Sequence, residues 1–375
     1  MEQNNPFLKL KSYKMKNKFS LVLMTMLFLT TGRSFSQGCI AIRSTGATCA
    51  LHMPDSLAMT SKWQLGVNYR YFKSYKHFVG KEEQKQRVDS GSNVINHSNT
   101  IDIAITHQLN SRWTFLLDVP IVAYSRSSLY EHDRVNRYTT HSYGIGDIRF
   151  SAYRLMFDPH KFMNFNVQLG LGIKLSTGDY DFKDKFHITD STTRLGPVDQ
   201  SIQPGDGGTG FTVEANIFYN FSHHFGLYGN IYYLINPREQ NGVSTARGGE
   251  SSPQTMQIGS DVMSVPDQML ARAGFNFSHS NWIASAGMRY ECLPVYDLVG
   301  GSEGFRRPGY IVSIEPGVSY NFRKISAYAY VPVALVRNRT QSVPDKHRTD
   351  ITGVYSQGDA AFADYVINVG MVIKL

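Results

Sequence analysis

The chain has 375 residues, of which 42% are apolar, 13% aromatic and only 18% charged, with a formal net charge of +8. This is too apolar and too aromatic for a disordered chain. One short stretch near the start aside, no apolar run approaches the roughly 18 residues of a membrane helix, which excludes a helical membrane protein.

The apolar stretch 19–31 follows Lys14, Lys16 and Lys18 and precedes Ser34-Phe35-Ser36-Gln37. A positive flank, a short apolar core and small residues at the end predict a secretory signal peptide over 1–36, cleaved near Ser36. Met15 offers an alternative start, which makes 1–14 an N-terminal extension. The signal carries six bases and one acid, so +5 of the +8 leaves with it and +3 remains. A nucleic-acid reading based on charge loses its support.

The mature chain is expected to open with a periplasmic leader or plug over 37–61. Cys39 and Cys49 lie there, with nine residues between them, before the first strand, and export predicts that they pair as a disulfide without Cys292. Two alternatives stay open: lipidation of Cys39, and a soft-metal site from Cys39, Cys49, His52 and Met53.

From Trp63 onward apolar residues recur at every second position, the period of strands with unlike faces. Met163, Phe165, Val167, Leu169, Leu171, Ile173 and Leu175 share one face, with Asn164, Asn166, Gln168 and Lys174 on the other. The same pattern predicts twelve strands near 62–76, 99–109, 112–125, 138–157, 162–175, 209–221, 224–236, 265–278, 281–296, 309–322, 324–337 and 362–375. Tight turns at 110–111, 158–161, 222–223, 279–280 and 323–324 alternate with long loops near 77–97, 126–137, 176–208, 237–264, 297–308 and 338–361. All short connections then lie at one end and all long ones at the other. The expected fold is all-β: a transmembrane, antiparallel, up-and-down β-barrel over 62–375 in the outer membrane of a Gram-negative bacterium.

With the apolar faces toward lipid, the opposite faces line the lumen. They carry Arg70, Asp102, Asp118, Asp147, Arg149, Lys174, Glu214, Arg272, Arg289, Glu291, Glu315 and Lys374, six acids against six bases. Such a set predicts paired networks, read either as a scaffold that narrows the barrel or as a charged constriction. Phe72, Tyr124, Phe218, Tyr328 and Tyr330 share the lumen and offer ring faces to an aromatic or aliphatic solute. Pro120 and Pro332 fall inside strands, where each removes a ladder donor and favours a bulge that shapes the lumen or opens the wall. Cys292 follows the apolar parity of Trp282, Ala284, Ala286, Met288 and Tyr290 and is expected to face lipid.

Gly144-Ile145-Gly146-Asp147-Ile148-Arg149, followed after a tight turn by Gly170-Leu171-Gly172-Ile173-Lys174-Leu175-Ser176-Thr177-Gly178-Asp179, resembles the family of bacterial outer-membrane proteins named for the meta-pathway of phenol degradation. The resemblance covers roughly 140–375, and Ser176 stands where that family commonly has proline. It implies a porin-like barrel that passes small hydrophobic or aromatic compounds. The Ser-Phe-Ser-Gln region resembles the cleavage regions of exported Bacteroidetes proteins.

Two further classes stand beside the channel. The outer-membrane phospholipases are barrels with His and Ser two residues apart, on one side of a strand. Here His97-Ser98 and His141-Ser142 are adjacent and so point to opposite faces, and no nucleophile elbow, zincin helix or phosphate loop is present. No enzyme activity, cofactor or metal is therefore expected. A closed barrel acting as a structural or surface-interaction protein is the alternative, and it rests on loop 176–208 with Asp179, Asp181, Asp184, Asp190 and Asp199. The expected partners are outer-membrane lipids and a small-molecule solute of open identity, with no nucleic acid; the oligomeric state stays open, with a monomer favoured.

Overall fold

A computed structural model describes residues 62–375. The signal peptide, the leader 37–61 and the Cys39–Cys49 pairing lie outside the described residues.

Twelve strands form one closed antiparallel sheet: β1 Trp63–Val79, β2 Ile95–Gln108, β3 Trp113–Ser128, β4 Tyr138–Ile145 continued by Arg149–Leu155, β5 Phe165–Lys174, β6 Gly210–Asn220, β7 Phe225–Ile235, β8 Gln268–His279, β9 Trp282–Leu293, β10 Gly309–Asn321, β11 Ile325–Tyr330 continued by Val333–Arg339, and β12 Ala360–Lys374. Each pairs with its sequence neighbour, and β1 closes on β12 from Gln64↔Lys374 to Phe78↔Ala360. Closure removes the sheet edge, which lipid would leave unsatisfied.

Burial alternates as the sequence pattern requires. In β5, Leu169 and Leu171 are exposed to the outside while Asn166 and Lys174 are buried inside. Short turns are held by their own side chains: Asn110 Oδ1 accepts from the amides of Arg112 and Trp113, each at 2.9 Å, and Ser222 Oγ accepts from His224 and Phe225. Next to these turns the outer face carries contacting rings, among them Phe157, Phe162 and Phe165, then Tyr219, Phe221, Phe225 and Phe277, then Trp282, Tyr320 and Phe322. Such a girdle marks a membrane boundary, and the protein is an outer-membrane barrel with its short turns on the periplasmic side.

The long loops at the other end are structured. Lys183–His187 pairs with Thr193–Pro197, and Gln240–Ser244 with Val262–Ser264. The helix Val343–Thr352 begins in a reciprocal cap between Ser342 and Asp345 and ends at Gly353, whose φ of 68° a side chain would strain. Among the described residues no helix is long and apolar enough to cross a membrane.

One expected exposure is corrected. Cys292 keeps its outward parity but is buried, not lipid-exposed. It sits in register between Met269 and Tyr310, next to the Tyr290–Tyr310 ring pair. These larger neighbours cover a short side chain that strand parity alone places on the surface.

Candidate functional site: a plugged lumen

The inner charges are buried and mostly paired. Glu315 on β10 accepts from both Arg272 at 3.3 Å and Arg289 at 3.1 Å, and Arg289 also reaches Glu291 at 2.9 Å. The register explains this set: Arg272 lies directly opposite Arg289, so two like charges share one carboxylate on the next strand. On the other side of the barrel Arg149 donates to Asp118 at 2.7 Å and to the Tyr232 hydroxyl at 3.0 Å. Lys174 lies 3.6 Å from Asp147 and contacts Asp206.

Among the described residues, the hydrogen-bond donors to Glu214 are neutral. Tyr153 at 2.8 Å and Asn230 at 3.0 Å donate to it. Asp102 accepts from Asn68 at 3.3 Å, with Arg70 within electrostatic reach. Lys374 stays half-exposed at the periplasmic end and makes none of the ion pairs among the described residues.

The five expected aromatics do not form one platform. Tyr328 and Tyr330 stack at 6.1 Å, Tyr124 lies under the outer loops, Phe72 faces the β11–β12 junction, and Phe218 is half-buried on β6. Tyr153, Tyr228 and Tyr232 also face inward and were not among the expected residues. Their signal is in the glycines opposite: a Cβ at Gly170 would meet the Tyr153 ring at 2.5 Å, one at Gly287 the Tyr228 hydroxyl at 2.4 Å, and one at Gly370 the Tyr328 hydroxyl at 2.4 Å. The missing side chains let these rings lie against the wall.

Two wall discontinuities lie at the two prolines. In β3, Asp118 pairs with Arg149 and Ile121 with Ile145, so 146–148 bulge opposite Val119-Pro120. The Gly146 amide still bonds the Pro120 carbonyl at 2.8 Å. Above this bulge Tyr138–Ile145 has β3 on one side, but β5 has already ended at Lys174. In place of a strand, the loop hairpin lies there, with Asp184 accepting from the His141 amide at 2.7 Å. At the second site, Val333–Arg339 follows β10 but meets β12 only at Val333↔Tyr365. Arg337 bridges the separation to the Ala363 carbonyl at 3.0 Å and to Asp364 at 2.6 Å.

The loop between β5 and β6 enters the barrel. Val198, Ile202, Gln203, Pro204 and Gly205 are buried, and Val198 and Ile202 pack on the inward Val122 and Tyr124 of β3, with Phe182 alongside. The bulge holds this plug: Thr177 Oγ1 donates to the Gly146 carbonyl at 2.9 Å and accepts from the Ile148 amide at 2.8 Å. Asp147 accepts from the amides of Gly178 at 3.0 Å and Asp206 at 3.1 Å. Gly178 and Gly205 touch backbone to backbone, and a Cβ at Gly205 would sit 2.4 Å from the Gly178 carbonyl. The two segments that resemble a known family are thus the two halves of one clasp.

Ion pairs latch the plug from above. Asp199 receives Arg307 at 2.8 and 2.6 Å and lies 3.5 Å from Arg126. Arg126 also pairs with Glu131 at 2.8 Å, which takes Arg247 at 2.9 Å. Burial works to raise the Asp199 carboxyl, but Arg126 and Arg307 outweigh it and hold it well below the usual range. Four different loops are joined at this point. Sequence reasoning missed it because the pairing partners lie 5 to 116 residues apart.

Below the plug a cavity of about 30 Å³ remains, bordered by Arg70, Asp102, Tyr124, Arg149, Pro204 and Tyr232. A second, of about 20 Å³, lies at the β11–β12 junction beside Phe72, Pro332 and Phe362. Each has room for water but not for a ring. The acids of loop 176–208 are dispersed, and among the described residues no group of three or more His, Cys, Asp or Glu is placed to hold a metal.

No protein-family model matches the chain, and no curated protein matches it. Solved structures do. A COG4313 outer membrane channel from Pseudomonas putida F1 aligns over 84% of this chain and 96% of its own, at 11% identity and a TM-score of 0.54. The P. putida toluene transporter TodX aligns over 88% and 95%, at 10% identity and a TM-score of 0.42. The translocator domain of the autotransporter NalP from Neisseria meningitidis aligns over 96% and 98%, at 9% identity and a TM-score of 0.44. The first of these likenesses shows a shared barrel fold.

Proposed function

We propose that the protein is an outer-membrane channel for small hydrophobic or aromatic solutes, found here with its outer mouth closed. The observation that carries this reading is the nature of the closure. The outer mouth of the lumen is stopped by a loop held by hydrogen bonds and ion pairs to other loops and to one bulge, while below it buried charges and tyrosines narrow the bore. A structural barrel needs no such removable stopper.

The paired inner charges support an apolar cargo over an ionic one. Arg149, Arg272 and Arg289 are each occupied by carboxylates, so the wall offers little free field to a charged solute. Between those charges the cavity under the plug offers apolar surface from Val122, Tyr124, Tyr232 and Leu234. The twelve expected lumen charges then serve as wall struts, and the tyrosine faces as the lane. The solute class matches that of the meta-pathway family on the quoted motifs, and the similar P. putida proteins named above include a toluene transporter.

Proteoliposome flux tests the reading. Deleting 199–204 from the full chain should raise benzene entry several-fold, with a smaller rise for a charged sugar acid. Equal, negligible entry of both solutes with the plug present and deleted would instead support the closed structural barrel.

A further inference from the structure

The plug carries its own ligand mimic. Ile202 is 2% exposed and sits among Val122, Tyr124 and Val198, with Phe182 at the edge. It ends a single 3₁₀ turn, Gln200–Ile202, that belongs to no sheet. The tethers of that turn are polar: Asp199 to Arg307 and Arg126, the Gln200 side chain to the Ser264 carbonyl at 2.8 Å, the Gln203 side chain to the Val198 carbonyl at 2.9 Å, and the Ser142 hydroxyl of the wall to the Ile202 carbonyl. Polar tethers fix where the turn sits, while the seat under it is apolar. Pro204 and Tyr124 also border the cavity below, so emptying the seat would join it to that space.

We infer that the seat filled by Ile202 is the outer solute-binding site, and that a small apolar ring binds there by displacing this side chain. The inference rests on the channel reading and names where that channel first holds its cargo. Size supports it: the four carbons of an isoleucine side chain plus the cavity beneath approach the space of one six-membered ring. Energetics support it at the seat itself, where the incoming ring replaces the apolar contacts of the Ile202 side chain with apolar contacts, while the Ser142 hydroxyl keeps the Ile202 carbonyl when only the side chain swings out. The binding-competent state is the one with Ile202 out, so the apparent affinity is lowered by the small population of that state.

The test uses the full chain in lipid nanodiscs, benzene as the probe, and the Val198 methyl NMR signals as reporter, with the lipid-facing Ile173 methyl correcting for benzene dissolved in lipid. In the wild type Val198 should show a saturable ring-current shift that Ile173 lacks. Ile202→Ala should saturate at about tenfold lower benzene, since the competing side chain is gone. Val122→Trp, which fills the seat from the wall, should abolish the saturable shift. Migration on unboiled gels verifies that both variants form the barrel. A Val198 shift that only parallels Ile173, or an Ile202→Ala midpoint equal to the wild type, overturns the inference. Benzene flux is read separately: flux without saturable binding leaves the channel and removes this site, and binding without flux leaves the site and removes the channel.

Discussion

Arg306 and Asp297 have fully buried side chains, joined by two hydrogen bonds of 2.8 and 2.6 Å, and Arg306 also donates to Ser264 Oγ at 3.1 Å. Such a pair adds little over an apolar substitute, but removing one partner strands a buried charge at about 3–5 kcal/mol. Arg306→Met should therefore loosen the junction between loops 236–267 and 294–308. Amide exchange of Phe305, whose N–H bonds the Val262 carbonyl at 2.7 Å, should accelerate at least a hundredfold, by about 3 kcal/mol of local opening. A second residue-scale device is Asp359. His77 Nε2 accepts from the Val94 amide at 2.8 Å, so its Nδ1–H donates to Asp359 at 2.9 Å, and Arg87 reaches the same oxygen at 2.5 Å. Burial works to raise this carboxyl, yet His77 and Arg87 outweigh it and lower it from 3.8 to about 2. A lowered carboxylate contributes stability that is present above its unfolded value and is lost as pH falls through the folded one. Loop 80–94 should hold at pH 5 and loosen between pH 4 and 2, whereas Asp359→Asn should loosen it already at pH 7. Exchange of the Val94 amide reads both.

At the scale of elements, proline decides where the wall parts. Pro332 has no N–H, and beyond it β11 leaves β12 after the single pair Val333↔Tyr365, although below it six pairs join the same two strands. Pro332→Val returns a donor and a strand-forming side chain. It should extend β11–β12 pairing toward Arg337 and reduce benzene flux several-fold in proteoliposomes; unchanged flux would remove this junction from the solute path. The bulge at 146–148 answers to different residues. Gly205→Val places side-chain atoms where the Gly178 carbonyl stands, so the plug must shift, and single-channel conductance should rise while the unboiled gel shift stays.

For the whole molecule, closure is the source of stability. A sheet that pairs β1 with β12 leaves no edge, and each strand adds a ladder that lipid cannot compete for. The protein should fractionate with outer membranes and migrate faster unboiled than boiled; recovery in the soluble periplasm without detergent would contradict the barrel. The loops add less, because they rest on buried ion pairs whose desolvation offsets much of their attraction. Heat or denaturant should therefore free the plug before it opens the barrel, a two-step transition visible when tryptic cleavage at Arg247 precedes loss of the gel shift.

The strands were legible in the sequence because lipid outside and polar side chains inside impose a period of two on every crossing, and β5 or β12 needs no partner to display it. Their count, the two-ended turns and the inward charges follow from that one constraint. β1 runs past its expected end to Val79, β4 is interrupted opposite Pro120 of β3 and β11 at Pro332, an effect of the prolines that was expected but whose extent was not. The plug could not be read in the same way. Ile202, Asp199 and Arg307 lie in loops without period, and their roles arise only when the barrel brings four loops over one mouth. Cys292 failed for a related reason, since parity gives the direction of a side chain and neighbouring strands decide what covers it. Local alternation is a property of each strand alone, while closure of the lumen depends on contacts between loops as distant as Glu131 and Arg247.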